Sequence, residues 1–328
     1  VDTGVVSELI AGLPDSTKNV LTIEVTDNGS DTLVDPADLI TLAAKTTSAI
    51  NIDAVNVLTG EAEDVVAVYD AGSSDFTNLG TEQVTITGTA NASDLKLLLE
   101  DTNQNITLGS VSSVSGSVSD LDDVLASPRI VGWDTAYPPL TVSGSSVDAD
   151  SLKSLADAVA TKFGADNKTD KVVSTATTFS GSADNVLDIL TNVVVSEPTD
   201  PNVTLSDDTI AADTLIDIKA QTGGTINVAT ASTVQGNADD VATVLAVSYV
   251  SGLGGENVTL TDTSVAASKI TTVQGLTSEI VNMATVVTLS GTADQVNAIY
   301  TNSKISGKGN EQITLSDLTL DAAKLKTA

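Results

Sequence analysis

Arg129, Trp133, Asp134 and Tyr137 place two aromatic faces, a carboxylate and a guanidinium within nine positions. That set suits a saccharide, because the rings offer an apolar surface to a sugar while Arg and Asp fix its hydroxyls. The four stand in "ASPRIVGWDTAYPP" (126–139), which carries the only Trp and the only Arg of the chain. A packing role competes with the binding role: Trp133 and Tyr137 plug the loop onto a core while Pro128, Pro138 and Pro139 stiffen it. A second group of side chains suits a hard cation. Asp207, Asp262 and Asp317 recur at one position of a repeat, and "TDNGSD" (26–31) adds Asp27 and Asp31. Carboxylate oxygens of this kind could hold calcium, the one cofactor the sequence suggests. No EF-hand loop occurs, and Gly88 and Gly144 replace the Asp in earlier copies, so a solvated acidic face is the competing reading.

Other chemistries are removed by composition. The chain has no His and no Cys, which eliminates Ser-His-Asp and Cys-His nucleophiles and the usual zinc sites. A carboxylate pair of the glycosidase kind remains, but forty-four acidic residues create such pairs everywhere by chance. The expectation is a protein that is not an enzyme. A net charge of −30 argues against nucleic acid and anionic membranes, whose recognition rests on Lys and Arg. No apolar run approaches the length needed to insert into a bilayer. A Cys-free, His-free, acidic, Ser/Thr-rich chain fits an extracellular protein of a saline environment.

The elements that must position these residues repeat. "VTLSDDTIAAD", "VTLTDTSVAAS" and "ITLSDLTLDAA" begin at Val203, Val258 and Ile313, fifty-five residues apart each time. Residues 203–257 and 258–312 agree at twenty positions without a gap. A fixed period of this size marks a unit that must stack on copies of itself to bury its apolar face. In the first half of each unit, Leu215 with Ile218, Ile270 with Val273 and Leu152 with Leu155 have the i, i+3 spacing of one helical face. Thr209, Ser264, Ser146 and Thr319 stand just before, where a hydroxyl would cap a helix.

The second half turns at a glycine, at Gly60, Gly116, Gly181, Gly236 and Gly291. After each comes an i, i+3, i+4 apolar trio, from Val65, Val68 and Tyr69 to Val296, Ile299 and Tyr300, the buried stripe of a short helix. Ser117, Ser182, Asn237 and Thr292 stand one residue beyond their glycines as N-caps, and Thr292 with Gln295 forms a capping box. Two places break the rhythm. Gly116 to Gly181 is ten residues too long, and the interval contains residues 126–139 and "ATKFGADNKTDK" (160–171).

Short β-branched strands, turns and short helices in this order predict an α/β repeat, a parallel β-strand/short-helix solenoid built from about 55-residue double-coil units. The expected organisation is an N-terminal segment or cap at 1–29, repeats at 30–125, an irregular insertion region at 126–175 and regular repeats at 176–328. "VTLSD", "SGTADQVNAIY" and "ISGKGNEQITLSD" resemble units of the tandem repeats in very large cell-surface and adhesin-like proteins of marine bacteria, cyanobacteria especially, and in phage appendage proteins. That resemblance implies an extracellular structural or adhesive role and transfers no site residue. The function expected is a rigid structural module of a filament, adhesin stalk or phage fibre. The alternative is a carbohydrate-binding protein that takes a glycan on the 126–175 loops. Residues 1–40 carry a net −7 and residues 301–328 a net +1. Lys324 and Lys326 are therefore the assembly candidates, either for head-to-tail self-association or for continuation in a longer repeat chain.

Overall fold

The computed structural model describes residues 2–14, 19–27, 34–133, 138–163, 171–192 and 194–317. It shows an α/β protein in which parallel strand–helix units recur in several parallel sheets. The chain divides into two compact units: Val1–Gly144 with Ser154–Thr175 and Val193–Ser196, and Ser145–Lys153 with Ala176–Asn192 and Glu197–Ala328.

The second unit has the plainer geometry. One sheet runs in the order Ser146–Asp148, Thr178–Gly181, Asn202–Leu205, Ile226–Asn227, Val250–Ser251. The next runs Thr209–Ala211, Thr233–Gly236, Asn257–Leu260, Val281–Asn282, Ile305–Ser306, and a third joins Ser264–Ala266, Thr288–Gly291 and Gln312–Leu315. Ladder partners are Val203↔Ile226, Ile226↔Val250, Val234↔Val258 and Val258↔Val281, always twenty-three or twenty-four residues apart. The spatial coil is therefore about twenty-four residues, and fifty-five residues hold two coils plus one additional strand of about seven. That extra strand moves the chain from one sheet to the next. Residues at equivalent positions of successive repeats, such as Val203 and Val258, accordingly lie in different sheets.

In the first unit, one sheet orders Asp2–Gly4, Ile23–Val25, Ile50–Asn51 and Phe76–Thr77. A larger sheet contains Val57–Gly60, Gln83–Asn91, Ile106–Gly116, Leu140–Val142, Val172–Ser174 and Val195–Ser196, with Ile130–Val131 also on Ile106–Gly116. Gln83–Asn91 and Ile106–Gly116 each run through what are two separate strands in the other unit. Register shifts between Ile86 and Thr87 and between Gly88 and Thr89 absorb the mismatch. Gly88, at φ 76°, supplies backbone freedom there.

The extra residues of the long interval can be placed by register. Leu140 pairs with Val172, and Val147 with Phe179, each thirty-two residues on. Half of the excess is the helix Ala149–Phe163, fifteen residues long where Ala212–Gln221 and Ala267–Leu276 have ten. The segment 126–139 adds little, since Val114 and Leu140 are only twenty-six apart.

Helices that are consecutive along the chain pack together within each unit, and their inner stripes are closed to solvent. Val186, Ile189, Val241, Val244, Val296 and Ile299 are all 0% exposed. Aliphatic residues fill these interiors, with Phe76 and Phe179 the largest fully buried side chains. Among the described residues no helix is long and apolar enough to cross a membrane.

Candidate functional site

The recurring aspartates act on helices. Asp207 Oδ2 accepts the backbone N–H of Ala183 at 2.8 Å, Asp262 Oδ2 that of Ala238 at 2.8 Å, and Asp317 Oδ2 that of Ala293 at 2.7 Å. Asp27, 4% exposed, accepts from Val6 N–H at 2.7 Å. Each donor is the first residue of a helix, and each of the three repeat aspartates lies twenty-four residues later, one coil on. Within each helix the local cap leaves this donor over. Asn237 Oδ1 accepts from Asp239 and Asp240, Ser182 Oγ from Asn185, and Thr292 Oγ1 from Gln295 within a capping box. The aspartate of the next coil takes the N–H that the cap cannot reach, and its negative charge lies at the positive end of the helix. Among the described residues no three acidic side chains come together in a way that could hold a metal ion. Asp31 lies outside the described residues.

The aromatic cluster is also an internal structure. Trp133 is 4% exposed, tilted against Phe163 at 6.0 Å between ring centroids, with Lys162 Nζ 5.3 Å above its ring. Lys162 donates to the Leu125 carbonyl, and burial pushes its pKa below the ordinary lysine value. Arg129 donates from Nη1 to the Thr102 carbonyl and from Nη2 to the Leu99 carbonyl, so its guanidinium closes the end of the helix Ala92–Asp101. Asp134 and Tyr137, like Lys324, Lys326 and Thr319, lie outside the described residues.

Thr209, Ser264 and Ser146 do not cap helices. Each opens a short strand paired in a sheet, and the helix begins three residues later, after Ala211 or Ala266 in two of the cases. The glycines likewise serve a different purpose from a turn. A Cβ on Gly116 would stand 2.8 Å from Ala92 Cβ, on Gly236 3.0 Å from Ala212 Cβ, and on Gly60 2.7 Å from Pro36 Cδ. In each pair the partner is the first helical residue of the preceding coil. Glycine is needed because two coils approach one another at the first residue of a helix.

One feature escaped sequence reasoning. Glu82, Glu256 and Glu311 each accept the N–H of a glycine two residues earlier, Gly80, Gly254 and Gly309, at 2.7, 2.6 and 2.9 Å. Glu311 also accepts from the Tyr300 hydroxyl at 2.5 Å, and burial together with that carboxylate pushes Tyr300 up to about 12. The signal was a Gly-x-Glu triplet repeated before a strand.

Fold and contacts together define a repeat α/β protein whose coils are tied by main-chain and side-chain bonds. The chain matches no protein-family model, no curated protein and no solved structure.

Proposed function

We propose that this chain is a structural module whose coils stack as a parallel β-strand/short-helix solenoid, serving as a rigid segment of an extracellular filament, adhesin stalk or phage fibre. The observation that carries the reading is the constant ladder step. Partners twenty-three or twenty-four residues apart recur from Val203↔Ile226 to Val281↔Ile305, so each coil presents its successor with the surface it met itself. The recurring aspartates fit the same role, because they join coil to coil. The test is to delete residues 203–257 and, separately, to duplicate them. Both proteins should keep the circular dichroism of strand and helix, and small-angle scattering should show equal and opposite changes in the longest dimension. Loss of ordered structure on deletion would refute stacking.

Continuation by a second copy, head to tail, belongs to this reading. Ile313 is 38% exposed, whereas Val203 and Val258 at equivalent positions are 1% and 0%. Among the described residues no strand pairs with Gln312–Leu315 on the side where Ile226–Asn227 and Val281–Asn282 pair with its equivalents, and a copy stacked end to end, or a further repeat of the same chain, would supply one. Sedimentation and negative-stain microscopy of residues 1–328 should show linear oligomers that Ile313→Asp abolishes. Monodisperse monomers at high concentration would remove self-assembly from the proposal while leaving the stacked module intact. The carbohydrate alternative at 126–175 has less to support it, since Trp133 is buried and Arg129 is held by main-chain carbonyls.

A further inference from the structure

A cavity of about 450 Å³ opens in the first unit between the end of the helix Ala62–Asp75, the turn that follows it, and the end of the helix Ala92–Asp101. Its walls include Tyr69, Ser73, Phe76, Asn78, Gly80 and Asp101. The volume falls in the lower part of the range taken by small-molecule sites, roughly 300–1,000 Å³.

The one charged side chain that lines this cavity is a carboxylate. Asp101 lines it, and burial, with Asp70 and Glu100 close by, raises the pKa of its carboxyl. No Lys or Arg is among the lining residues. A second carboxylate stands directly behind the wall. Glu82, 0% exposed, accepts on Oε2 from two lining groups, the Gly80 N–H at 2.7 Å and the Tyr69 hydroxyl at 3.4 Å. Its other oxygen, Oε1, is buried with no partner. Burial and Glu82 push the Tyr69 hydroxyl well above the ordinary tyrosine value, so the phenol stays protonated. A buried carboxylate with one unmatched oxygen is an unfavourable arrangement that a nearby positive charge relieves. The glutamate recurs as Glu256 and Glu311, but among the described residues only Glu82 has a buried oxygen left unmatched, and Asp101 ends its ten-residue helix where Gln221 and Leu276 end the equivalent ones.

We propose that this cavity binds a small organic ammonium ion of about monosaccharide size, its ammonium group on the Asp101 carboxylate and its body against the Tyr69 ring. Anions are repelled by both carboxylates. A neutral molecule of the same shape gains the ring contact and loses the charge attraction.

The test uses the full chain at constant ionic strength, following amide chemical shifts with glucosamine as probe and with glucose and N-acetylglucosamine as neutral counterparts. Glucosamine should shift amides of residues 69–80 and 98–102 and bind about tenfold or more tightly than either neutral sugar. Asp101→Asn, which keeps the shape and loses the charge, should weaken glucosamine about tenfold, and the distant Glu279→Gln should leave it unchanged. Ethanolamine gives a second ammonium probe without the sugar ring and should shift the same amides. Equal binding of charged and neutral sugars, unchanged affinity in Asp101→Asn, or no shift with either amine at millimolar concentration would each overturn the proposal.

Discussion

Replacing Asp262 tests whether coil-to-coil carboxylates hold the array. Its Oδ2 lies 2.8 Å from the N–H of Ala238, and Ala238 is 1% exposed, so removal of the carboxylate leaves a donor that water reaches poorly. A hydrogen bond to a charged group contributes about 1.5–3 kcal/mol, and the favourable placement of a negative charge at a helix N-terminus adds about 0.3–1 kcal/mol. Asp262→Ala should therefore destabilise by about 2–3 kcal/mol. Asp262→Asn keeps an acceptor and loses the charge, and should show roughly half that loss. Asp207→Ala and Asp317→Ala repeat the experiment at equivalent places, and with no shared partner the effects of Asp207 and Asp262 should add to within about 0.5 kcal/mol. Urea unfolding followed by circular dichroism gives the energies, while hydrogen exchange at Ala238 locates the effect. A loss below about 0.5 kcal/mol for Asp262→Ala, with exchange at Ala238 unchanged, would refute the capping argument.

The glycine positions should separate by space. Gly116→Val, which pushes a branched side chain against Ala92 Cβ, should lose about 1–3 kcal/mol, whereas Gly275→Ala, in a helix with nothing within 4 Å, should gain about 0.5–1 kcal/mol in the same urea assay. Arg129→Met should lose about 1.5–3 kcal/mol by freeing two helix-end carbonyls, and Arg129→Lys should restore part of the loss in melting temperature. Two carboxyls should respond to pH with opposite sign. Asp101 has a raised folded pKa, so its contribution is present below the ordinary carboxylate value and lost as pH rises through the folded one; Asp101→Asn should raise the neutral-pH urea midpoint. Asp120 is held low by Lys96 and by Ser117, so its contribution is present above the ordinary value and lost as pH falls through the folded one. Asp120→Asn should lower the neutral-pH midpoint, and both differences should vanish in acid.

The second-half helices were legible because two independent signals agreed: an apolar trio at helical spacing and a short polar residue just before it. Ser117, Ser182, Asn237 and Thr292 do cap these helices. The first-half helices were placed too early because Thr209 and Ser264 carry the same cap chemistry, while the competing strand pairing Thr209↔Thr233 is invisible locally. Ala211 and Ala266, the actual residues before those helices, offer no side-chain cap bond and so no signal. The aspartates stand at a repeated position in the sequence, but their hydrogen-bond partners do not show at that period, for a related reason. A fifty-five-residue period compares Asp207 with Asp262, whereas the bond joins Asp207 to Ala183. Only the twenty-four-residue step reveals the partner, and that step is a property of the sheet. It becomes visible in sequence once the interval from Ala183 to Asp207 is compared with those from Ala238 to Asp262 and Ala293 to Asp317.

The charge composition follows from the same topology. A strand, a helix and a return to a parallel strand give every helix of a unit the same direction, so the starts gather positive partial charge along one edge and the ends negative partial charge along another. Parallel dipoles side by side repel, and the chain answers at both edges. Acidic residues occupy the first turn of most helices, among them Asp94, Asp120, Asp184, Asp213, Asp239 and Asp294. Among the described residues, Lys96, Lys153 and Lys269 pair with carboxylates, while other cations go to carbonyls at or just beyond helix ends: Arg129 to Leu99 and Thr102, Lys162 to Leu125, Lys219 to Gly223 and Gly224, and Lys308 to Ile299, Tyr300 and Asn302. A lysine placed on a carbonyl in this way neutralises no carboxylate. With fourteen basic residues against forty-four acidic ones, a large negative excess is left for solvent.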